Sequence, residues 1–251
     1  MVAARQLDTT IYPESDHMGE GELQQLIDES LRPELARFLA SLHRVAHVGS
    51  NTFVYYRQFD SSKRIAPDIY VLPNVAQTSI ARSWKLWELP APPSFALEVV
   101  SLDVDKDYVE APDIHGRIGT KELVVFDPEC GSDRERVLWQ VFRPTRGGTF
   151  RLVERTDADR VRCRELGAFL RVVGAGATLR VRVATGPRGD SLFPTEAETE
   201  RAEKERERAE KERERAEKER ERAARLALEA ELEGLRGELS RLRAGRARPG
   251  R

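Results

Sequence analysis

The sequence predicts an α/β protein: a mixed β-sheet core flanked by helices, with a long charged helix at its C-terminal end. Three observations lead there. SFALEVVSL and KELVVFDP are strand-length and nearly continuously apolar, as strands covered on both faces are. Segments of helical spacing precede and separate them, the alternation expected of α/β proteins. After Thr195 a strict seven-residue charged repeat replaces this pattern.

In GELQQLIDESLRPELARFLASLH, Leu23, Leu26, Ile27, Leu31, Leu35, Phe38, Leu39 and Leu42 recur at helical spacing. One amphipathic helix is expected, with Pro33 as the place for a bend. TFVYYRQF and APDIYVLP are rich in aromatic and β-branched residues, and the turn-like DSSKR between them predicts a hairpin. The two apolar runs follow as central strands. Between them DVDKDYVEAPDIHGRIG predicts an exposed connection, with a helix after Pro112 that stops at Gly116 or Gly119. RVLWQVFRPTRGGTFRLVER reads as two strands about a Gly-Gly turn, and ATLRVRVA as one further alternating strand.

RAEKERE then occurs three times, from Arg201, Arg208 and Arg215. The repeat sets Glu207 and Glu214 four residues before Lys211 and Lys218. It also sets Arg206, Arg208, Arg213 and Arg215 four before Glu210, Glu212, Glu217 and Glu219. Such pairs sustain an exposed helix without a core. Leu228, Leu232, Leu235, Leu239 and Leu242 alternate by four and three, a short coiled-coil seam weakened by Gly234 and Gly237. The expected division is a domain over 1–194, a helical tail over 195–246 that joins copies of the chain into a homo-oligomer, and a disordered end over 247–251.

Composition narrows the function. Of 251 residues, 34% are charged, with a formal net charge of −1. Residues 1–195 hold 25 Lys and Arg against 27 Asp and Glu, so any nucleic-acid face there must be local. Cys130 and Cys163 stand apart with no CxxC or Cys/His ligand spacing, which excludes a zinc ribbon or a disulfide framework. His43 and His47 are four apart in a predicted helical setting, but no HExxH glutamate accompanies them. With no long apolar run and no signal-peptide core, a cytoplasmic protein without membrane attachment is expected.

Two acids interrupt otherwise buried strands: Asp68 in RIAPDIYVLP and Glu98 in SFALEVVSL. Metal-dependent phosphodiester cleavage needs two carboxylates fixed near one another, to hold a hard divalent cation that activates water. Strands about 4.8 Å apart supply that arrangement if these two pair. A turn-forming Asp and an Arg-paired Glu are the structural alternatives. Trp84, Trp87 and Trp139 could stack on bases but are read as core or sheet-edge cover, and Asp127 before Pro128 as a turn former.

In order along the chain, KRIAPDIYVLPNV, RSWKLWE, PPSFALEVVS, the dipeptide Lys106–Asp107 and GTKELVVFDP resemble the successive motifs of the bacterial Uma family of restriction-endonuclease-like proteins, in the PD-(D/E)xK nuclease superfamily. The resemblance covers Tyr12 to Leu192, and many relatives carry a similar Glu/Arg-rich tail. It implies a restriction-endonuclease-like core and Mg²⁺- or Mn²⁺-dependent cleavage of DNA. It also implies Asp68 and Glu98 as the metal-binding pair, with the main-chain carbonyl of Val99 as a further ligand.

The superfamily also uses a lysine to orient the attacking water. Its standard place, two residues after Glu98, holds Val100; the family's place on the following helix aligns with Ala111, and a nearby aromatic position with His115. Lys106 is the nearest basic candidate and Lys85 the other, while Glu20 or Glu22 could complete the site from the first helix. The leading reading is a Mg²⁺-dependent DNA endonuclease with Asp68, Glu98 and Lys106 as catalytic residues. The alternative is a catalytically inactive nuclease fold that works as a binding or scaffold module through its tail.

Overall fold

The computed structural model describes residues 21–101, 104–132, 136–147 and 149–246. The candidate Glu20 and the expected disordered end at 247–251 lie outside them. The chain divides into Met1–Phe193 and Pro194–Arg251.

In the first unit the elements run α1 (Glu22–Ser41), β1 (Ala46–Gly49), β2 (Val54–Tyr55), β3 (Arg64–Ile65), β4 (Ile69–Pro73), β5 (Trp84–Lys85) and β6 (Phe95–Val99). A π-helical turn, Lys106–Glu110, leads into α2 (Ala111–Ile118). Then follow β7 (Glu122–Phe126), β8 (Trp139–Pro144), β9 (Phe150–Thr156), β10 (Arg160–Cys163), β11 (Ala168–Val173), β12 (Arg180–Thr185) and β13 (Ser191–Leu192). The main sheet has the order β1-β4-β6-β7-β8-β9. Its one parallel pair, β6 with β7, is joined through α2, and the other neighbours are antiparallel. The sheet is mixed, as expected.

Both apolar runs lie at its centre, and all ten residues of β6 and β7 are buried. One face of these strands carries Phe95, Leu97, Val99, Val124 and Phe126 into a core shared with α1 and with an antiparallel sheet, β10-β11-β12-β13. The other face carries Ala96, Val100, Leu123 and Val125 against Tyr108 and Phe150. Burying side chains of this size stabilises the fold by roughly 1.5–3 kcal/mol each. Among the described residues, ion pairs of buried carboxylates reinforce the packing. Glu34 of α1 meets Arg182 of β12, Glu122 of β7 meets Arg143 of β8, and Asp127 meets Arg136.

Several elements depart from the sequence reading. DSSKR does close a hairpin, but between β2 and the two-residue β3; IYVLP instead enters the main sheet between β1 and β6. The apolar content of IYVLP explains this, since four of its five residues are buried. Strands β1, β5, β10, β11 and β13 were not expected. Helix α1 runs through Pro33 and ends at Ser41, so His43 and His47 do not share a helical face: His43 follows the helix and His47 lies on β1. Asp127 does form a turn, accepting from the Glu129 N–H, but it is fully buried and also holds Arg136 and the Tyr108 hydroxyl.

The second unit is the helix α3 (Glu196–Arg246). Thr195 begins it with reciprocal bonds: its Oγ1 accepts from the Glu198 N–H while the Glu198 carboxylate accepts from the Thr195 N–H. The pairs Glu207–Lys211 and Glu214–Lys218 form, each at 2.6 Å. Leu228, Leu232, Leu235 and Leu239 are exposed along it. Among the described residues no helix is long and apolar enough to cross a membrane.

Candidate active site

Strands β4 and β6 pair with Ile69 opposite Leu97 and Tyr70 opposite Ala96, so continuing the register sets Asp68 opposite Glu98. Directly opposed residues in an antiparallel pair have Cα atoms about 4.5–5.5 Å apart and side chains on the same face. Both acids are buried, at 5% and 6% exposure. Asp68 Oδ2 accepts from the Val99 N–H at 2.6 Å, and Oδ1 accepts from Gln24 Nε2 of α1. Glu98 Oε1 lies 3.0 Å from His115 Nε2, and His115 Nδ1 lies 2.9 Å from Thr120 Oγ1.

Local sequence explains why these groups meet. Asp107, Ala111 and His115 are spaced by four, so one helical face carries all three toward the sheet; each is buried. Gly119 ends α2 in a left-handed conformation, φ 82°, and the Thr120 N–H then bonds the His115 carbonyl. That turn places the Thr120 hydroxyl beside the imidazole. Asp107 Oδ2 accepts from both the N–H and the hydroxyl of Ser101, just beyond β6.

The electrostatics are those of crowded acids. Burial, then the charge of Glu98, raises Asp68 well above the usual carboxylate range. Burial, then Asp107, pushes Glu98 up to about 8, while Lys106 and the Asp68 N–H work in the opposite direction. Burial also holds His115 down at about 3, so its ring is neutral. At neutral pH Glu98 therefore retains its proton, the state expected where like charges share a buried space.

Asp68, Glu98 and the Val99 peptide are brought together. Lys106 sits exposed at the start of the π-helical turn, within electrostatic reach of Glu98. Lys85 does not join them: it is on β5 and pairs with Glu88 at 2.9 Å. Val100 packs with Val104 and Tyr108, and Ala111 is buried on the helix face between Asp107 and His115. From α1 it is the amide of Gln24 that reaches Asp68, while Glu22 is exposed in the first turn. Gln24, Asp107 and Thr120 were missed, although the four-residue steps from Asp107 through Ala111 to His115 were a usable signal.

Among the described residues no group of three or more His, Cys, Asp and Glu is arranged to hold a metal ion. The oxygen donors of Asp68 and Glu98 are of the hard type that suits Mg²⁺ or Mn²⁺. Their raised protonation reflects a charge that a divalent cation would offset.

The comparison with curated proteins finds no match. One solved structure that is similar is "a putative nuclease belonging to DUF820 from Anabaena variabilis", at 17% identity and a TM-score of 0.40, covering 59% of this chain and 75% of that one. The profile of the Uma2 family, described as "Putative restriction endonuclease", matches residues 18–170. That match spans more than half of the chain, and the chain belongs to the Uma2 family.

Proposed function

We propose that the domain is a Mg²⁺- or Mn²⁺-dependent DNA endonuclease whose cation is held by Asp68, Glu98 and the main-chain carbonyl of Val99. The observation that carries this reading is the acid pair: two buried carboxylates from adjacent strands, one above the usual range and the other at about 8. A bound divalent cation in such a site supplies an activated water and stabilises the leaving oxygen. The chain's own residues set the geometry. Gln24 and the Val99 N–H fix the Asp68 carboxylate from two sides. Neutral His115, steadied by Thr120, fixes one oxygen of Glu98. Lys106 is the residue assigned to assist the phosphate, and its charge favours ionised Glu98.

A second reading has its own support. Val100 and Ala111, at the two places where nuclease relatives carry lysine, are both buried and apolar. A domain so altered would act as a binding or scaffold module, with the tail joining copies of the chain through Leu228, Leu232, Leu235 and Leu239.

Incubating the full chain with supercoiled plasmid and Mg²⁺ or Mn²⁺ separates the two, with Asp68→Asn/Glu98→Gln as control. Nicking by the wild type that disappears in the double variant supports the endonuclease. Cutting that persists in the variant, or none in either, removes it.

A further inference from the structure

The small sheet β3-β2-β5 is separate from the main sheet and presents an unusual surface. Tyr55, Arg57, Phe59, Asp60, Lys85 and Trp87 surround a cleft of about 330 Å³. Phe59 is 98% exposed, and Phe53 and Trp87 are 43% and 41% exposed. Phe59 also has φ 63°, a left-handed conformation that a bulky residue adopts only against strain. No packing holds this ring, so the strain stabilises nothing within the chain; strain of this kind collects at functional surfaces. Next to it, the Arg64 guanidinium lies 4.5 Å from the centre of the Phe53 ring.

The ribbon has a local excess of basic residues. Over 53–65 and 82–88 the basic residues are Arg57, Lys63, Arg64, Arg82 and Lys85, against Asp60 and Glu88. Residues 1–195 as a whole are slightly acidic, so the ribbon carries a local basic excess of the kind that attracts phosphate. Exposed aromatics among cations match a nucleic-acid strand whose bases are unpaired, because stacking needs a free base face and the phosphates need the cations. A second copy of the same face would bring the cations of one ribbon onto those of the other, which disfavours self-association. The ribbon also leads into the acid pair: Ile65 of β3 is three residues from Asp68, at most about 10 Å of extended chain.

We infer that the β3-β2-β5 ribbon is the docking surface for an unpaired single-stranded stretch of DNA, with bases stacked on Phe59 and Trp87 and phosphates on Arg57, Arg64 and Lys85. The inference rests on the nuclease reading for its choice of ligand, and it makes the preferred substrate single-stranded or locally unpaired.

Its test is binding in EDTA, where metal-dependent cutting cannot interfere. The full chain is titrated into a fluorescently labelled 20-nucleotide single strand and into the matching duplex, with anisotropy as readout. The single strand binds about 10-fold tighter than the duplex. Phe59→Ala and Trp87→Ala each weaken single-strand binding about 5- to 10-fold and leave duplex binding unchanged. Arg57→Gln and Lys85→Gln each lower the salt slope by about 0.7. Phe59 lies at the surface, so an unchanged circular dichroism spectrum and melting temperature establish that its variant is folded. Equal affinity for the two DNAs, or unchanged binding by Phe59→Ala, overturns the inference. A Phe59→Ala change in sedimenting mass overturns it too, by making the face a contact between copies. Specific single-strand binding without plasmid cutting leaves this surface standing and rejects the endonuclease; duplex cutting with no single-strand preference does the reverse.

Discussion

Glu98 tests the site without any assumption about substrate. Its carboxyl is held at about 8 against an ordinary 4.5, by burial first and Asp107 second. Between those values the folded protein keeps a proton that the unfolded chain has released, so stability falls as pH rises. The contribution is fully present below about 4.5 and is lost by about 8. A displacement of that size corresponds to on the order of 3–5 kcal/mol, of which about 2 kcal/mol falls above pH 6.5. His115 acts in the opposite sense: held at about 3 against 6.5, it remains neutral where the unfolded chain takes up a proton, so its share of stability is lost as pH falls below 6.5. The two slopes oppose one another from 4.5 to 6.5. Above 6.5 His115 no longer opposes Glu98, whose slope then stands alone. Urea denaturation in EDTA, followed by circular dichroism from pH 5 to 9, reads this directly. Wild-type stability drops by about 2 kcal/mol or more between pH 6.5 and 8.5. Glu98→Gln keeps the shape, removes the titration and gives a shallower profile. Superimposable profiles would mean that Glu98 is ionised in the metal-free fold, and the crowded-acid description of the site would be wrong.

Ala111 occupies the helix face between Asp107 and His115, so Ala111→Lys puts an ammonium toward the acid pair; plasmid nicking with Mn²⁺ rises about 10-fold or more over wild type. Glu122 is fully buried and accepts from Arg143 and from the Arg164 and Glu165 N–H groups. Glu122→Ala strands those donors and costs about 3–5 kcal/mol, read as a melting point lower by about 10 °C. Removing residues 196–251 takes away the exposed leucine stripe; sedimentation then gives the mass of a monomer, against an oligomer for the full chain.

The central strands were legible because nearly unbroken apolar runs leave few alternatives to a sheet buried on both faces. The register that sets Asp68 opposite Glu98 was not legible, because the turn-like DSSKR suggested that IYVLP pairs with the preceding strand rather than with β6. The tail was legible from its heptad, whose Glu–Lys spacing needs no tertiary partner. Strand β1 was not, because AHVG is short and borrows its stability from β4. The role of His115 was equally hidden. Its position marked a departure from the family pattern, but only the turn at Gly119 brings Thr120 close enough to hold the ring against Glu98. Gln24 shows the same limit, since an amide exposed in sequence terms reaches Asp68 only once α1 has packed over the sheet.

The most direct test of the acid pair is a calorimetric titration of the full chain with Mn²⁺ at pH 8.5, where Glu98 is mostly ionised. If Asp68 and Glu98 chelate an ion, the wild type takes up the cation with measurable heat, and Asp68→Asn/Glu98→Gln abolishes it. Equal heats in the two proteins, or none in either, would contradict a divalent-cation site between these strands.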